Sequence, residues 1–160
     1  MSVEAIDLFV EIGRDGEPFY ESVLVEHLGG LKYRVLASPG MLEGCAAGDE
    51  IELLAEDRTR FRLSKRGGNV CIQFFVEGDH AACASELTAR IEALDGRLDG
   101  ETAGLLVFTV PVSAGFPAIE AVFYDAEKRY AGCSWMFGNV YDPVDGETPL
   151  NWWLDDSVGT

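Results

Sequence analysis

The stretch "EIELLAEDRTRFRLSKRGG", residues 50–68, predicts a β-hairpin that runs into a pair of glycines. Polar and apolar residues alternate along both arms, with the two-residue period of a strand that buries one face. A turn over residues 56–58 gives a register in which the apolar residues face one another and Glu52 lies opposite Arg62. Opposite charges paired in this way contribute roughly 0.2–1 kcal/mol. The expected apolar pairs are Ile51 with Leu63 and Leu53 with Phe61.

The same stretch concentrates positive charge, because five of the twelve Lys and Arg residues lie within residues 58–66. We expect Arg60 and Arg62 to occupy the solvent face of the hairpin. Lys65 and Arg66 lie beyond the paired part, next to Gly67-Gly68. A run of backbone N–H groups beside cations suits a carboxylate or a phosphate. The predicted ligand-binding residues are Lys65, Arg66, Gly67 and Gly68.

The residues before the hairpin predict further short strands. "EAIDLFVEI" alternates with period two, and Gly29-Gly30 separates two strand-like runs as in a tight hairpin. Residues 38–50 contain three glycines and a proline and predict a loop. We therefore expect residues 1–67 to form a small antiparallel, β-barrel-like lobe.

After Gly68 the pattern changes to alternating strands and helices. "NVCIQFFVEG" predicts a strand, and a helix with an apolar stripe follows, for which Asp79 is a candidate N-cap. "AGLLVFTVPV" predicts a central strand buried on both faces. A second helix and the strand "CSWMFGNVY" complete a three-stranded β-α-β-α-β lobe over residues 68–142, which we expect to be ferredoxin-like. The predicted fold class is α+β, with two lobes.

The segment 143–160 predicts a tail docked on the body, because two indoles left in water would be a liability. Trp and Tyr are also the residues that dominate protein–protein hot spots. The predicted partner-binding residues are Trp152, Trp153, Asp155 and Asp156.

Several of these segments, in this order, resemble a family of small bacterial proteins catalogued as domain of unknown function 4265. The resemblance rests on "DGEPFYESVLVEHLGGLKYRVLASP", Gly48-Asp49, "FRLSKRGG" and "VFTVPV" followed by a helix, and it spans roughly residues 5–141. The chain departs from the family pattern at residues 37–40, and the tail after Asp142 looks like an addition. The resemblance implies no activity, cofactor or catalytic residue.

The composition limits the classes of function. The formal net charge is −16, which disfavours nucleic acid and anionic membranes as partners and favours basic ones. The N-terminal segment lacks the basic region of a secretory signal, and no apolar run is long enough to span a membrane. The four cysteines form no C-x-x-C pair, so we expect reduced thiols in a cytoplasmic protein. No metal site or cofactor is predicted.

Catalytic chemistry has little support in the sequence. The two histidines, His27 and His80, adjoin a turn and a helix start, and the sequence contains neither a nucleophile elbow nor a phosphate loop. The sequence therefore favours a non-catalytic acidic protein that binds a basic protein partner, for example as a toxin-immunity protein does. The alternative is a small anionic ligand bound between the lobes. The oligomeric state stays open.

Overall fold

The computed structural model describes residues 2–78, 80–155 and 158, which form two antiparallel β-sheets and two α-helices. The chain is mostly sheet, as expected of an α+β protein with segregated helices. Two short 3₁₀ turns cover residues 112–114 and 152–154. The strands and helices are β1 Val3–Ile12, β2 Pro18–Gly29, β3 Lys32–Val35, β4 Glu50–Leu53, β5 Phe61–Lys65, β6 Asn69–Phe75, α1 Ala81–Glu92, β7 Arg97–Thr102, β8 Leu105–Pro111, α2 Phe116–Arg129 and β9 Ser134–Phe137.

The hairpin of β4 and β5 has the predicted register over residues 51–53 and 61–63. A register shift then places Lys65, one residue beyond Ser64, opposite Glu50, so Lys65 belongs to the ladder and does not lie beyond it as expected. Its apolar face packs against the core of the first sheet, and Arg60 and Arg62 are exposed. The turn is longer than the predicted three residues and covers residues 54–60. The Asp57 carboxylate accepts hydrogen bonds from the backbone and hydroxyl of Thr59, which stabilises this wider loop. The confirmed pairs are Ile51–Leu63, Glu52–Arg62 and Leu53–Phe61.

The first sheet is a meander with strand order β1-β2-β3-β4-β5. It curls enough for the Phe9 N–H to reach the Thr59 carbonyl, at 2.8 Å, just before β5 begins. The described residues show no ladder between β1 and β5, so the sheet is not a closed barrel. Its core lies on the inner face and is built from buried residues: Leu8, Val23, Val25, Val35, Leu42, Cys45, Ile51 and Leu53.

The second sheet has strand order β7-β8-β6-β9, and the expected count of three strands is wrong. The additional strand, β7, lies at an edge and has the sequence "RLDGET". Gly and acidic residues are poor strand formers, and so these residues carry no strand signal in the sequence. Pairing with the apolar strand β8 holds β7 in place. As predicted, β8 is central, since it pairs with both β6 and β7.

Helices α1 and α2 cover one face of the second sheet. The stripe predicted for α1 is buried at Cys83, Leu87 and Ile91, and α2 buries Ile119 and Phe123. Asp79, the predicted cap of α1, lies outside the described residues. Within those residues no helix combines the length and apolar character needed to cross a membrane.

The long loop of residues 36–49 covers the other face of the second sheet. The Gln73 side chain donates to the Pro39 and Leu42 carbonyls, and the Ser38 and Thr109 hydroxyls lie 2.6 Å apart. These buried side chains belong to the second sheet or to the loop, and their hydrogen bonds satisfy polar groups that would otherwise be costly to bury. The loop therefore links the first sheet, from which it extends, to the second sheet, to which it is hydrogen-bonded.

Candidate functional site

The predicted ligand-binding segment is organised around a buried carboxylate, that of Asp49, which is 1% exposed. Its oxygens accept hydrogen bonds from the backbone N–H groups of Ala46, at 2.9 Å, and Gly67, at 2.8 Å. Arg66 Nη1 lies 3.4 Å from the same carboxylate and donates to the Gly44 carbonyl at 2.9 Å. Burial raises the pKa of Asp49, and these donors partly oppose that rise. Two of the four predicted ligand-binding residues, Arg66 and Gly67, therefore donate hydrogen bonds to an internal carboxylate.

Gly67 and Gly68 connect β5 to β6, and a close backbone approach requires glycine at the first position. A Cβ at Gly67 would lie 2.4 Å from the carbonyl carbon of Gly48. Gly68 has φ +90°, which side-chain-bearing residues rarely adopt. The backbone geometry therefore explains why both positions are glycine, without any role in ligand binding.

The tail brings its two indoles against the body of the protein. Trp152 Nε1 donates to the Asn139 carbonyl at 2.9 Å, and the Arg66 guanidinium lies 5.5 Å from the Trp152 ring. Trp153 packs edge-on against Phe116, with ring centroids 5.0 Å apart. Asp156 lies outside the described residues. The structure places Lys65, Arg66, Trp152 and Asp155 around one shallow pocket of about 310 Å³, so parts of the two predicted sites adjoin.

A different cavity, of about 460 Å³, combines acids with aromatic rings, and we call it the acid–aromatic pocket. One wall is a stripe of α2 with the spacing i, i+4, i+7, which lies beside the buried face of the helix. The other walls come from β9 and from loops on either side. The residues that line it are Glu43, Glu120, Tyr124, Glu127, Trp135, Met136, Phe137, Tyr141 and Gly146.

Aromatic rings of this pocket pack against one another and against the core. Trp135 contacts Tyr124 edge-on at 5.1 Å between centroids, and it packs on the buried Phe123 at 5.3 Å. Tyr124 and Tyr141 are 52% and 40% exposed. An arrangement of aromatic faces open to solvent is suited to a cation, since ring quadrupoles attract positive charge.

The carboxylates of the acid–aromatic pocket carry uncompensated charge. In the described part of the chain, Glu43, Glu120 and Glu127 form no hydrogen bond or ion pair, and no Lys or Arg lines the cavity. Burial and the charge of Glu11 raise the pKa of Glu43. By contrast, eight acids elsewhere in the described residues are paired with arginines, such as Glu52 with Arg62. A positive ligand is therefore favoured at this pocket.

A larger cavity, of about 530 Å³, lies between β2 and β7, but its acids serve the fold. Glu21 accepts hydrogen bonds from three backbone N–H groups, those of residues 40–42. Asp99 accepts from the Ser38 N–H and the Thr109 hydroxyl. These carboxylates are already satisfied, which leaves them little capacity to hold a ligand.

The groups most able to support catalysis are occupied or inactive as nucleophiles. His27 Nε2 lies 2.9 Å from the Gly30 carbonyl, and His80 Nε2 lies 3.1 Å from a Glu101 carboxylate oxygen. Burial raises the pKa of the Cys71 thiol to about 12 and that of Cys83 to about 11. At neutral pH these thiols are protonated, and a thiol is a far weaker nucleophile than a thiolate.

Sequence reasoning missed the acid–aromatic pocket. Glu120, Tyr124 and Glu127 form one stripe of a helix that was itself predicted, so their spacing was a usable signal. A polar stripe normally faces solvent, and nothing local shows that Trp135 and Glu43 lie beside it. That proximity depends on the sheet order and on the path of the long loop.

The two antiparallel sheets, with a long loop between them and two helices, define the α+β class of the fold. The chain belongs to the family Domain of unknown function (DUF4265), whose sequence profile matches residues 21–132. The match includes most of β2, all of β3 to β8 and both helices. Among curated proteins, none matches the sequence.

A solved structure shares the fold. It is described as "Novel crystal structure of a hypothetical protein from Neisseria gonorrhoeae", and the TM-score is 0.67 with 15% sequence identity. The match covers 86% of this chain and 95% of that one. At this identity the likeness concerns the fold alone.

Proposed function

We propose that the protein is an acidic, non-catalytic binding protein that engages a basic protein partner through the acid–aromatic pocket. The observation that carries the proposal is the combination of three unpaired carboxylates with exposed aromatic faces in one cavity. A role like that of a toxin-immunity protein fits this description. The predicted tail residues Trp152, Trp153, Asp155 and Asp156 stay candidates for a second contact region.

The chemistry of the pocket suits Lys or Arg side chains. Their charged ends can pair with Glu120 or Glu127, and their apolar stems or the guanidinium plane can lie on the Tyr124 and Trp135 rings. The chain's net charge of −16 adds a long-range attraction that speeds encounter with a cationic protein. Both contributions weaken as salt screens the charges.

The proposal also includes the division of the chain into lobes. We treat residues 1–67 and 68–142 as a barrel-like lobe and a ferredoxin-like lobe, with residues 143–160 as a docked tail. Two separate buried cores, one under each sheet, support this division. The strand order β7-β8-β6-β9 with its two helices supports the ferredoxin-like description.

The alternative function is the binding of a small anionic ligand by Lys65, Arg66, Gly67 and Gly68. The hydrogen bonds of Arg66 and Gly67 to Asp49 leave fewer donors for such a ligand. The two functions are separated by a thermal-shift screen of anionic metabolites. The alternative predicts stabilisation that is lost in a Lys65→Ala/Arg66→Ala variant.

The test of the main proposal is affinity capture from a lysate of the source organism, followed by identification of the bound proteins. We expect a basic protein that is retained at low salt and released near 1 M salt, where the Debye length is about 3 Å. The double variant Glu120→Gln/Glu127→Gln should lose that protein, because it removes charge from the pocket wall.

A matched control changes the same net charge elsewhere. Glu4 and Glu92 are exposed, do not line the acid–aromatic pocket, and can be replaced in a Glu4→Gln/Glu92→Gln variant. The control should retain the captured protein. Equal loss of the captured protein in both variants would show that net charge, and not the pocket, determines binding. Capture by both variants would refute the pocket as the binding site.

A further inference from the structure

The four outer strands of the two sheets differ in how their edges are protected. Natural edge strands use bulges to disrupt the regular row of backbone groups that could pair with another chain. The ladders that hold β1, β5 and β7 each contain a register shift. In the described residues, the ladder between β6 and β9 contains none. The edge at β9 is therefore the regular one.

The outward-facing backbone groups of β9 follow from the alternation of an antiparallel ladder. The Gly138 N–H donates to the Cys71 carbonyl at 2.8 Å, which directs Met136, two residues earlier, toward β6 as well. The backbone N–H and C=O groups of Trp135 and Phe137 then point away from β6, toward the open edge of the sheet. Apart from β6, no described strand pairs with β9.

This regular edge adjoins the acid–aromatic pocket. Trp135, Met136 and Phe137 themselves line the cavity. On the helix side of the edge lie Glu120 and Glu127, and on the other side lies Glu43, which belongs to the loop that covers that face of the sheet. Acidic side chains thus flank both faces of a strand that has room to pair.

We propose that an extended, basic segment of a protein partner adds to β9 as a fifth strand of the second sheet. This inference rests on the proposed function and specifies how the partner binds. Main-chain hydrogen bonds to Trp135 and Phe137 supply affinity, and alternate side chains enter the pocket and supply specificity.

Spacing supports this arrangement. Glu120 and Glu127 are seven residues apart on α2, a rise of about 10 Å. Side chains on one face of a strand recur every two residues, about 7 Å, so two long basic side chains of the added strand can each reach a different carboxylate. A peptide with alternating cations matches the pocket better than a compact cation cluster.

The test uses an octapeptide of alternating arginine and threonine, acetylated and amidated, with the ¹⁵N-labelled full chain. We expect amide hydrogen exchange at Trp135 and Phe137 to slow by about tenfold or more when the peptide is bound. The control is the same peptide N-methylated at its two central residues, which lie on opposite edges of a strand. It should bind at least about tenfold more weakly and give no protection.

The outcomes separate this inference from the proposed function. Equal binding of both peptides, with no protection of either amide, overturns strand addition and leaves a pocket that holds basic side chains alone. Absence of binding of either peptide up to about 1 mM also overturns strand addition. The proposed function is then judged by the capture experiment with the two glutamine variants.

Discussion

Replacement of Asp49 by alanine tests the buried centre that joins the loop, the hairpin and the second sheet. The change removes the acceptor of the Ala46 and Gly67 N–H groups and the counter-charge of Arg66. An unsatisfied buried donor costs about 1–3 kcal/mol, and loss of one partner of a buried ion pair costs about 3–5 kcal/mol. The terms overlap and Arg66 is 17% exposed, so we expect a loss of about 3–5 kcal/mol.

The assay is urea unfolding of the purified protein, with the loss read from the shift of the midpoint at constant slope. The control is Glu52→Ala, which removes the acid from the more exposed pair with Arg62 and should cost less than about 1 kcal/mol. Adding Arg66→Met to the Asp49 variant should restore part of the loss, since it removes the uncompensated charge. A loss below about 1 kcal/mol for Asp49→Ala, or one equal to that of the control, would refute the reasoning.

Three further predictions concern local features. Gly67→Ala should lower the free energy of unfolding by at least about 1–3 kcal/mol in thermal unfolding, because its Cβ would lie 2.4 Å from the Gly48 backbone. In the control Gly100→Ala, the nearest atoms to the new Cβ lie at 3.8 Å, and the free energy of unfolding should change by less than about 1 kcal/mol. Asn139→Ala should cost about 2–4 kcal/mol in the same assay, since it leaves the Cys71 N–H and the Asn69 carbonyl unsatisfied. Hydrogen bonds from Thr148 lower the pKa of Asp145 from 3.8 to about 2. The ionised Asp145 carboxylate therefore stabilises the fold above pH 4, and this contribution is lost as the pH falls toward 2. Thr148→Val should raise the pKa of Asp145, as measured by NMR titration.

Local patterns were sufficient for much of the fold. The alternation of residues 50–65 gave the hairpin register, because a shift by one residue would have placed Arg60 opposite Leu53. The apolar run of β8 likewise indicated a central strand. In both cases burial of side chains dictates the structure, and burial leaves a periodic signal in the sequence.

Features that depend on distant partners were beyond the same reasoning. The residues of β7 have weak strand propensity, and they form a strand because they pair with β8. Arg66 looked available for a ligand, since its partner Asp49 lies 17 residues away in a loop whose path has no sequence signal. The acid–aromatic pocket likewise assembles Glu43, Trp135 and the α2 stripe from three separate parts of the chain.

The three tryptophans allow a direct test of where a cationic ligand binds. Trp135 lines the acid–aromatic pocket, whereas Trp152 and Trp153 belong to the tail. Each indole N–H resonance can be assigned from a Trp→Phe variant and followed while the arginine–threonine octapeptide is added. We predict a saturable shift of the Trp135 indole that is lost in the Glu120→Gln/Glu127→Gln variant and kept in Glu4→Gln/Glu92→Gln. A saturable shift confined to Trp152 and Trp153 would contradict the account.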